Sequence, residues 1–520
     1  GGGANPGGGT DPGPPATAAW PPLQASVEAL RLTFPPSTAT IVLDPYNDAY
    51  APGRLFLGGT WYDVELRQRG QGSRMHPKHS WKFRHPKGEL HDGAAGTGAW
   101  PARTRHTLAE WMDGGYLADP LSYGLMLGAG VRAPRWRYVT LEVNGESQGV
   151  YVELQDVDKT FLRDHGFHED SNVYRCGRGD CQFALWPRKP YMDPWEKETN
   201  ESQDASDLEA FLRGLNRTPE HELEAWLERH LDLARFVRMY AVGIVLGWHA
   251  VDDSGSYLVH DPATDRWSFV PWDLNNGRIV FFRDQDPNAA PWVRNAIPFY
   301  TLYDPITLSW AEGKSQSYGT PVHPPYVVLF QRVWDLPALR NRILDEAVKL
   351  LDGPFSEAQA FPRIDALRGL VEPLLPRDPW ISPEHQARAA DWTKAYVTGR
   401  AAFIRERLEA ERRRGEGGLV VNAIGPGFLE LFNRDAAPRD LGGLALTNDL
   451  RERLKTPLPA GIVVAPHGTV RIPFDVTTAG GEVGLFDAAT RLPLDVLFHA
   501  PLEGRAYART PEGAETWGWR

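Results

Sequence analysis

Two cysteines in 520 residues leave little room for thiol chemistry or a cysteine-built metal centre. Both stand in CGRGDC, as Cys176 and Cys181, and the flanking sequence offers no His or Cys set to complete the roughly four ligands of a structural zinc site. A small disulfide loop is the expected use of the pair, and it points to an oxidising compartment. The RGD inside the loop is an adhesion-like triplet of a kind that arises readily by chance. Long apolar runs are also missing. No window reaches the roughly 18 residues a membrane-spanning helix needs, and the nearest approach, FVRMYAVGIVLGW, is short and carries Arg238. A long basic run is absent too. With a formal net charge of −11, the chain lacks the basic face that neutralising a nucleic-acid backbone requires.

What remains is an ordinary globular composition, 42% hydrophobic and 24% charged, at a length that predicts roughly two to four domains. The chain opens GGGANPGGGTDPGPPATAAWPP. So Gly/Pro-rich a tract is expected to be a flexible leader over residues 1–25, of the kind left as a tether when a secretion or lipoprotein signal is removed. Leader and disulfide together point to an exported protein, at the cell surface or secreted, with a lipid tether as one form of attachment.

From Val27 to Phe83 short β-type runs alternate with turns. WYDVELRQR sets Tyr62, Val64 and Leu66 against Asp63, Glu65 and Arg67, the period of a strand with one buried face. This predicts a small, mostly antiparallel sheet. TRHTLAEWMDGGYLADPLSYGLMLGAG reads as helical, ending where Gly128 and Gly130 supply positive φ. Asn144-Gly145 then joins two strands as a hairpin. DLEAFLRGL, EHELEAWLERHL and DLARFVRMYAVGIVLGW have helical spacing, and YLVHDPATDRWSFVPWDLNNG reads as two strands around a turn. A helical and loop region follows to about Arg414. Beyond RRRGEGG the text becomes strand and turn, which predicts a separate β-sandwich over residues 415–520.

Three places carry chemistry. RQRGQGSRMHPKHSWKF gathers Arg67, Arg69, Arg74, Lys78 and Lys82 about a Gly-containing turn. Cations and backbone amides in that setting suit a polyphosphate; the alternative is a solvated basic strand edge. GWHAVDDSGSY offers His249, Asp252 and Asp253 at a helix end, where paired acids can hold Mg²⁺ or Ca²⁺ or accept a proton from a hydroxyl. An Asp-rich capping turn is the alternative there. Asp273 follows the apolar Val270, Pro271 and Trp272, and a carboxylate so placed needs a partner. Cations for phosphates and acids for metal and base form an inventory for phosphoryl transfer.

These motifs resemble, in order, those of the CotH spore-coat kinase family, over roughly residues 30 to 410. LRQRGQGSRMHPKHSWKF is similar to its basic Gly-turn signature, and VRAPRWRYVTLEVNGESQGVYVELQDVDKTFL to its core strands. SNVYR, WEKETNES and FVPWDLNN follow. The resemblance implies an α+β, reduced bilobal protein-kinase-like domain over 26–414, binding ATP with Mg²⁺ or Mn²⁺ and phosphorylating protein hydroxyls. It implies cofactor contacts from Arg69, Lys78, Lys82 and Gln155, metal ligation by Asp273 and Asp253, and a catalytic role for Asp252 or Asp253. Two departures stand out. Gln155 replaces a Glu found in many members, and SGSY offers Ser254 or Ser256 where many carry an Asn pair. Gln keeps hydrogen bonding without charge, and a hydroxyl is a poorer Mg²⁺ ligand than a carboxylate. The C-terminal VVNAIGPGFLELFNRDAAPRDLGGLALTND resembles a lamin-tail domain, an immunoglobulin-like sandwich, with Ala423 and Phe428 in place of the usual Glu and Trp. That implies surface attachment or partner binding. The rival readings are a catalytically weak surface or adhesion protein on a kinase-like shell, and a Ca²⁺-stabilised sandwich protein using DDSGS.

Overall fold

The computed structural model describes residues 15–70, 72–91, 93, 96–108, 115–177, 181, 183, 185, 192, 194–248, 256–276, 327–413, 418–449, 452–478, 480–489, 493–499, 501–514 and 517–520. Its architecture is α+β. Seven strands, β1 (Glu28–Thr33), β2 (Ala51–Leu57), β3 (Thr60–Arg69), β4 (Ser80–Arg84), β5 (Thr104–Leu108), β6 (Trp136–Val143) and β7 (Glu146–Gln155), close into a barrel in the order β1-β2-β3-β4-β5-β7-β6. The sheet predicted from sequence is thus closed on itself. Closure is made by β1 running parallel to β6, with Glu28 opposite Val139 and Leu32 opposite Val143. The Asn144-Gly145 hairpin sits where expected, with φ of 50 and 89°, and Gly58 and Gly59 form a second at 60 and 85°, the left-handed pairs that match strand twist.

Alternation fills the barrel with Leu30, Leu32, Leu55, Leu66, Trp81 and Phe83. One end of the interior is ionic instead. Glu153, fully buried, accepts from Arg105 Nη1 at 2.9 Å and from Arg137 Nε at 2.5 Å, and Arg137 Nη1 reaches Glu28 at 2.8 Å. Burial works to raise the Glu153 pKa, but the two guanidinium groups outweigh it and hold the carboxyl below its ordinary value.

The stretch expected to be helical from Thr104 is corrected. Its first residues form β5, because Thr-Arg-His-Thr-Leu alternates and pairs with β4 and β7. After the short α1 (Pro36–Val42), the next helix is α2 (Ala118–Gly128). Gly130 does take positive φ, at 78°. Gly128 is helical and serves a different need: a Cβ there would lie 2.1 Å from the Ala19 carbonyl oxygen.

Residues 15–25, expected to belong to a flexible leader, are pinned across the molecule. Ala19 N donates to Gly128 O at 3.1 Å, Trp20 Nε1 to Pro354 O at 2.9 Å, and Arg363 Nη1 to Pro21 O at 2.8 Å. Gln24 then bonds both backbone groups of Tyr138 on the barrel, at 2.6 and 2.9 Å. Gly124 and Gly128 open the groove on α2 in which this strap lies, and no local signal marks a Pro-rich strand of chain as the filler of a groove 100 residues away.

The second lobe comprises α3 (Lys159–Asp164), α4 (Ser206–Arg217), α5 (Glu220–His230), α6 (Leu233–Leu246), α7 (Val328–Asp335), α8 (Pro337–Asp352), α9 (Glu357–Val371) and α10 (Pro383–Arg412). The three helices predicted over 207–248 are present. Gly247 ends α6 in the left-handed conformation at φ 66°. A four-stranded sheet, β8 (Asn172–Cys176), β9 (Trp195–Lys197), β10 (Ser256–Asp261) and β11 (Arg266–Pro271), has the order β11-β10-β8-β9 and includes the predicted hairpin.

The C-terminal unit is β-rich, as predicted. A five-stranded and a four-stranded sheet enclose a core of its own that includes Leu431, Leu446, Leu485 and Trp517. It also docks on the helical lobe, where Phe486 and Val496 join the large core and His221 Nδ1 lies 2.9 Å from Tyr507 Oη. Among the described residues no helix is long and apolar enough to cross a membrane.

Candidate active site between the barrel face and the hairpin

The two-residue period of the strands decides which side chains leave the barrel. Phe83 and Trp81 point inward, so Lys82 and Arg84 point out, and the register places Arg67 opposite Lys82 and Lys82 opposite His106. Asp156 follows β7 directly, on the same side as Leu154, which lies opposite His106. Its carboxylate sits 3.1 Å from Lys82 Nζ and 3.0 Å from His106 Nε2. Burial works to raise the Asp156 pKa, but His106 and Lys82 outweigh it and hold the carboxyl well below its ordinary value. Burial first, and then Lys82, push His106 itself down to about 3, with Asp156 opposing. Lys82 and His106 thus both face the Asp156 carboxylate.

The floor of the cluster is aromatic. Trp272 meets the His106 ring edge-on at 5.7 Å and Tyr257 at 5.5 Å, and the Arg69 guanidinium lies over Trp272 at 5.2 Å. Asp273 comes next in the chain, with φ of 57°. A left-handed Asp is uncommon and costs backbone energy, and here it turns the chain as β11 ends. Burial lowers the Arg69 pKa while Tyr257, Asp273 and Asp156 act to raise it, so this cation is balanced by acids of both lobes. The charge of Asp273, after its apolar strand end, lies within the field of Arg69.

More acids gather at the edge. Arg175 of β8 contacts Glu196 at 2.8 Å and Glu198 at 3.3 Å. Burial raises the Glu198 pKa, and Asp156 adds to the rise. Asp158 caps α3 by accepting from Thr160 N at 2.8 Å and Phe161 N at 3.1 Å. Burial and then the Asp156 charge push its pKa up to about 6, against those two amide hydrogen bonds.

Arg69, Lys82 and Asp273 thus belong to one cluster, joined by Asp156 and His106. Lys78, expected to meet the cofactor, makes its contacts elsewhere. The side chain is 2% exposed, and Nζ donates to Tyr116 Oη at 2.5 Å and Val150 O at 2.6 Å, over the rings of Tyr116 and Tyr151. Tyr116 Oη in turn donates to Asp378 at 2.8 Å, so Lys78 ties the barrel to the helical lobe. Gln155, also expected to meet the cofactor, is likewise engaged elsewhere. Alternation turns it away from Leu154 and Asp156, and its amide binds Asp164 at 2.9 Å and the Arg135 amide at 3.2 Å. His249, Asp252, Asp253 and Ser254 lie outside the described residues, and with them the expected catalytic pair. Ser256 opens β10 and is buried. Among the described residues no group of three or more His, Cys, Asp or Glu is placed to hold a metal ion. The Cys176–Cys181 disulfide is formed, at the C-terminal end of β8.

His106, Asp48 and Arg175 were absent from the sequence expectations. His106 was accessible to them, since reading Thr-Arg-His-Thr-Leu as a strand puts it on the face of its neighbour Lys82. Asp48 and Arg175 carry no local signal.

Comparison with known proteins gives a family-model match described as CotH kinase protein over residues 66–409. The inner spore coat protein H of Bacillus subtilis (strain 168) is 21% identical over 384 residues, covering 70% of this chain and 92% of that protein. Among solved structures, that of a Helicobacter pylori proinflammatory kinase, CtkA, aligns with a TM-score of 0.27 at 9% identity, covering 59% of this chain and 91% of the other.

Proposed function

The chain belongs to the CotH kinase family, and on that premise we propose that it is an exported, metal-dependent protein kinase that transfers the γ-phosphate of ATP to hydroxyl groups of proteins, itself included. The observation that carries this reading is the convergence of Lys82 and Arg69 from the barrel with Asp273 from the hairpin of the other lobe.

The residues fit a nucleotide and its counter-ion. Lys82 is partly exposed and is aimed by Asp156, so its ammonium can meet a phosphate without giving up its anchor. Arg69, fixed over Trp272, offers a rigid second cation. Asp273 is the acid placed to hold the divalent ion, with Asp252 or Asp253 as the second acid and as acceptor of the proton from the attacking hydroxyl. ATP supplies the phosphoryl group, and the ion neutralises charge on its oxygens. Trp272, Tyr257 and His106 exclude water from beneath these charges, which strengthens every electrostatic contact made above them. The C-terminal sandwich, resembling a lamin-tail domain, would bind a surface partner. Export is supported by the buried disulfide.

The test is transfer of labelled γ-phosphate to the protein itself or to a generic acceptor with Mg²⁺ or Mn²⁺. Wild type should incorporate label, and Asp273→Ala should lose at least about a hundredfold of that activity. Equal incorporation by the two would refute the assignment. A catalytically weak surface protein is the second reading, favoured by Gln155 being neutral and engaged in structure. It predicts a melting shift with ATP and Mg²⁺ but no transfer, whereas the calcium-stabilised alternative predicts a shift with Ca²⁺ alone.

A further inference from the structure

The outer face of β3 and β4 carries more positive charge than the nucleotide contacts above use. Arg67 stands directly opposite Lys82, and like charges facing each other across an antiparallel pair oppose pairing. Each is met by an acid from elsewhere in the chain. Lys82 has Asp156, and Arg67 Nη1 lies 2.9 Å from Asp48 Oδ1. Arg74, from the Gly-turn segment Gly72–Met75, pairs with that same oxygen of Asp48. Arg175, from the sheet of the other lobe, is near enough for its charge to act on the same carboxylate. Guanidinium groups from both lobes therefore act on one acid, which is borne on the 44–50 connection.

The fit is lopsided. The arginine side chains are 23% and 9% exposed, whereas Asp48 is 71% exposed. Both arginines use one oxygen of the carboxylate, and Nε of each is buried with no hydrogen-bond partner among the described residues. Arg67 Nη1 also reaches Asp48 O at 3.4 Å and Arg74 Nη1 reaches Asn47 O at 3.3 Å, so two shielded guanidinium groups converge on one solvent-facing, replaceable acid.

We infer that Arg67 and Arg74 form an anion subsite for a phosphoryl group, and that Asp48 occupies it in cis until such a group displaces it. A phosphoryl group brings three terminal oxygens and a larger charge, so it can engage both guanidinium forks, Nε included, where a carboxylate oxygen cannot. Ion pairs to an acid as exposed as Asp48 are weak, so the exchange is inexpensive. The subsite itself is independent of the kinase reading. Only the identity of its natural phosphate, from the nucleotide or from a phosphorylated side chain, rests on that reading.

The experiment is calorimetric titration of the full chain, at one fixed ionic strength, with inorganic tripolyphosphate and separately with phosphoserine. Asp48→Asn should bind tripolyphosphate about five- to tenfold more tightly than wild type, and Arg74→Gln should weaken binding about tenfold on either background. Tightening confined to phosphoserine would keep the subsite and assign it to a phosphorylated side chain. Unchanged or weaker binding of both by Asp48→Asn overturns the inference. Melting curves establish that the variants are folded, and Arg74→Lys, which keeps charge but loses the fork, replaces the Gln variant if that one is not. Phosphotransfer measured on the same samples separates the two claims. Wild type without transfer, but with the Asp48→Asn gain, ends the kinase reading and leaves the subsite in place.

Discussion

Two lysines four residues apart should respond to the same substitution in opposite ways. Lys78→Met removes an ammonium that is 2% exposed and engaged by Tyr116 Oη, the Val150 carbonyl and two tyrosine rings. Methionine matches its length and leaves Tyr116 bonded to Asp378, but it orphans the Val150 carbonyl, at about 1–3 kcal/mol. Loss of the two desolvated cation–π contacts adds about 1–2 kcal/mol each. The offset is that a buried ammonium no longer has to be kept out of water, a gain of about the same size as one of those losses. The net is a destabilisation of about 2–5 kcal/mol, which lowers the melting temperature of a unit as long as residues 26–414 by roughly 2–6 °C. Its nucleotide response should survive. Lys82→Met, at a partly exposed site, should change stability less and abolish the melting shift produced by ATP and Mg²⁺. Differential scanning calorimetry with and without nucleotide reads both effects. If Lys78→Met melts like wild type and loses the nucleotide shift, the anchoring role of Lys78 is wrong and the phosphate contact first expected of it is right.

Glu153→Gln leaves two buried guanidinium groups facing a neutral amide and should cost about 3–5 kcal/mol in a urea titration, whereas replacing Arg105 and Glu153 together by apolar residues should cost less. His260 lies between Asp207 at 2.9 Å and Asp265 at 3.1 Å; burial works to lower its pKa, but both acids outweigh that and raise it. A raised imidazole pKa stabilises the fold fully below the unfolded value and loses that contribution as pH rises through the folded one. The stability gap between wild type and His260→Gln should therefore be widest near pH 5.5 and close above neutrality, and a gap that widens with pH would contradict it. Gly128→Ala should expel the strap, since its Cβ would meet the Ala19 carbonyl at 2.1 Å, and limited proteolysis should then cut before residue 27.

Local chemistry was legible in the sequence wherever period and turn residues act alone. The β3 alternation, the Asn144-Gly145 hairpin, the helices over 207–248 and the hairpin before Asp273 all follow from neighbours in the chain. The site was legible as far as a strand face could be read, which brought Lys82, Arg69 and Asp273 forward together. The surroundings of Lys78 and Gln155 were not legible, because a residue type within a motif does not say which way its side chain leaves the backbone. For Gln155 the parity of the strand decides it, and for Lys78 a buried carbonyl and two tyrosines from distant elements do. The strap and the Asp48 contact were illegible because each depends on pairing between segments far apart in sequence, for which short-range pattern carries no signal. Barrel closure belongs to the same class.

That closure sets an order of events. The opening strand has its parallel neighbour more than a hundred residues downstream, with Glu28 opposite Val139, so during synthesis it must wait, half-paired with β2, until the sixth strand emerges. Loops of such length close slowly. The ring therefore cannot be completed one hairpin at a time from its beginning; it closes only after β7, which lies between β5 and β6, has also emerged.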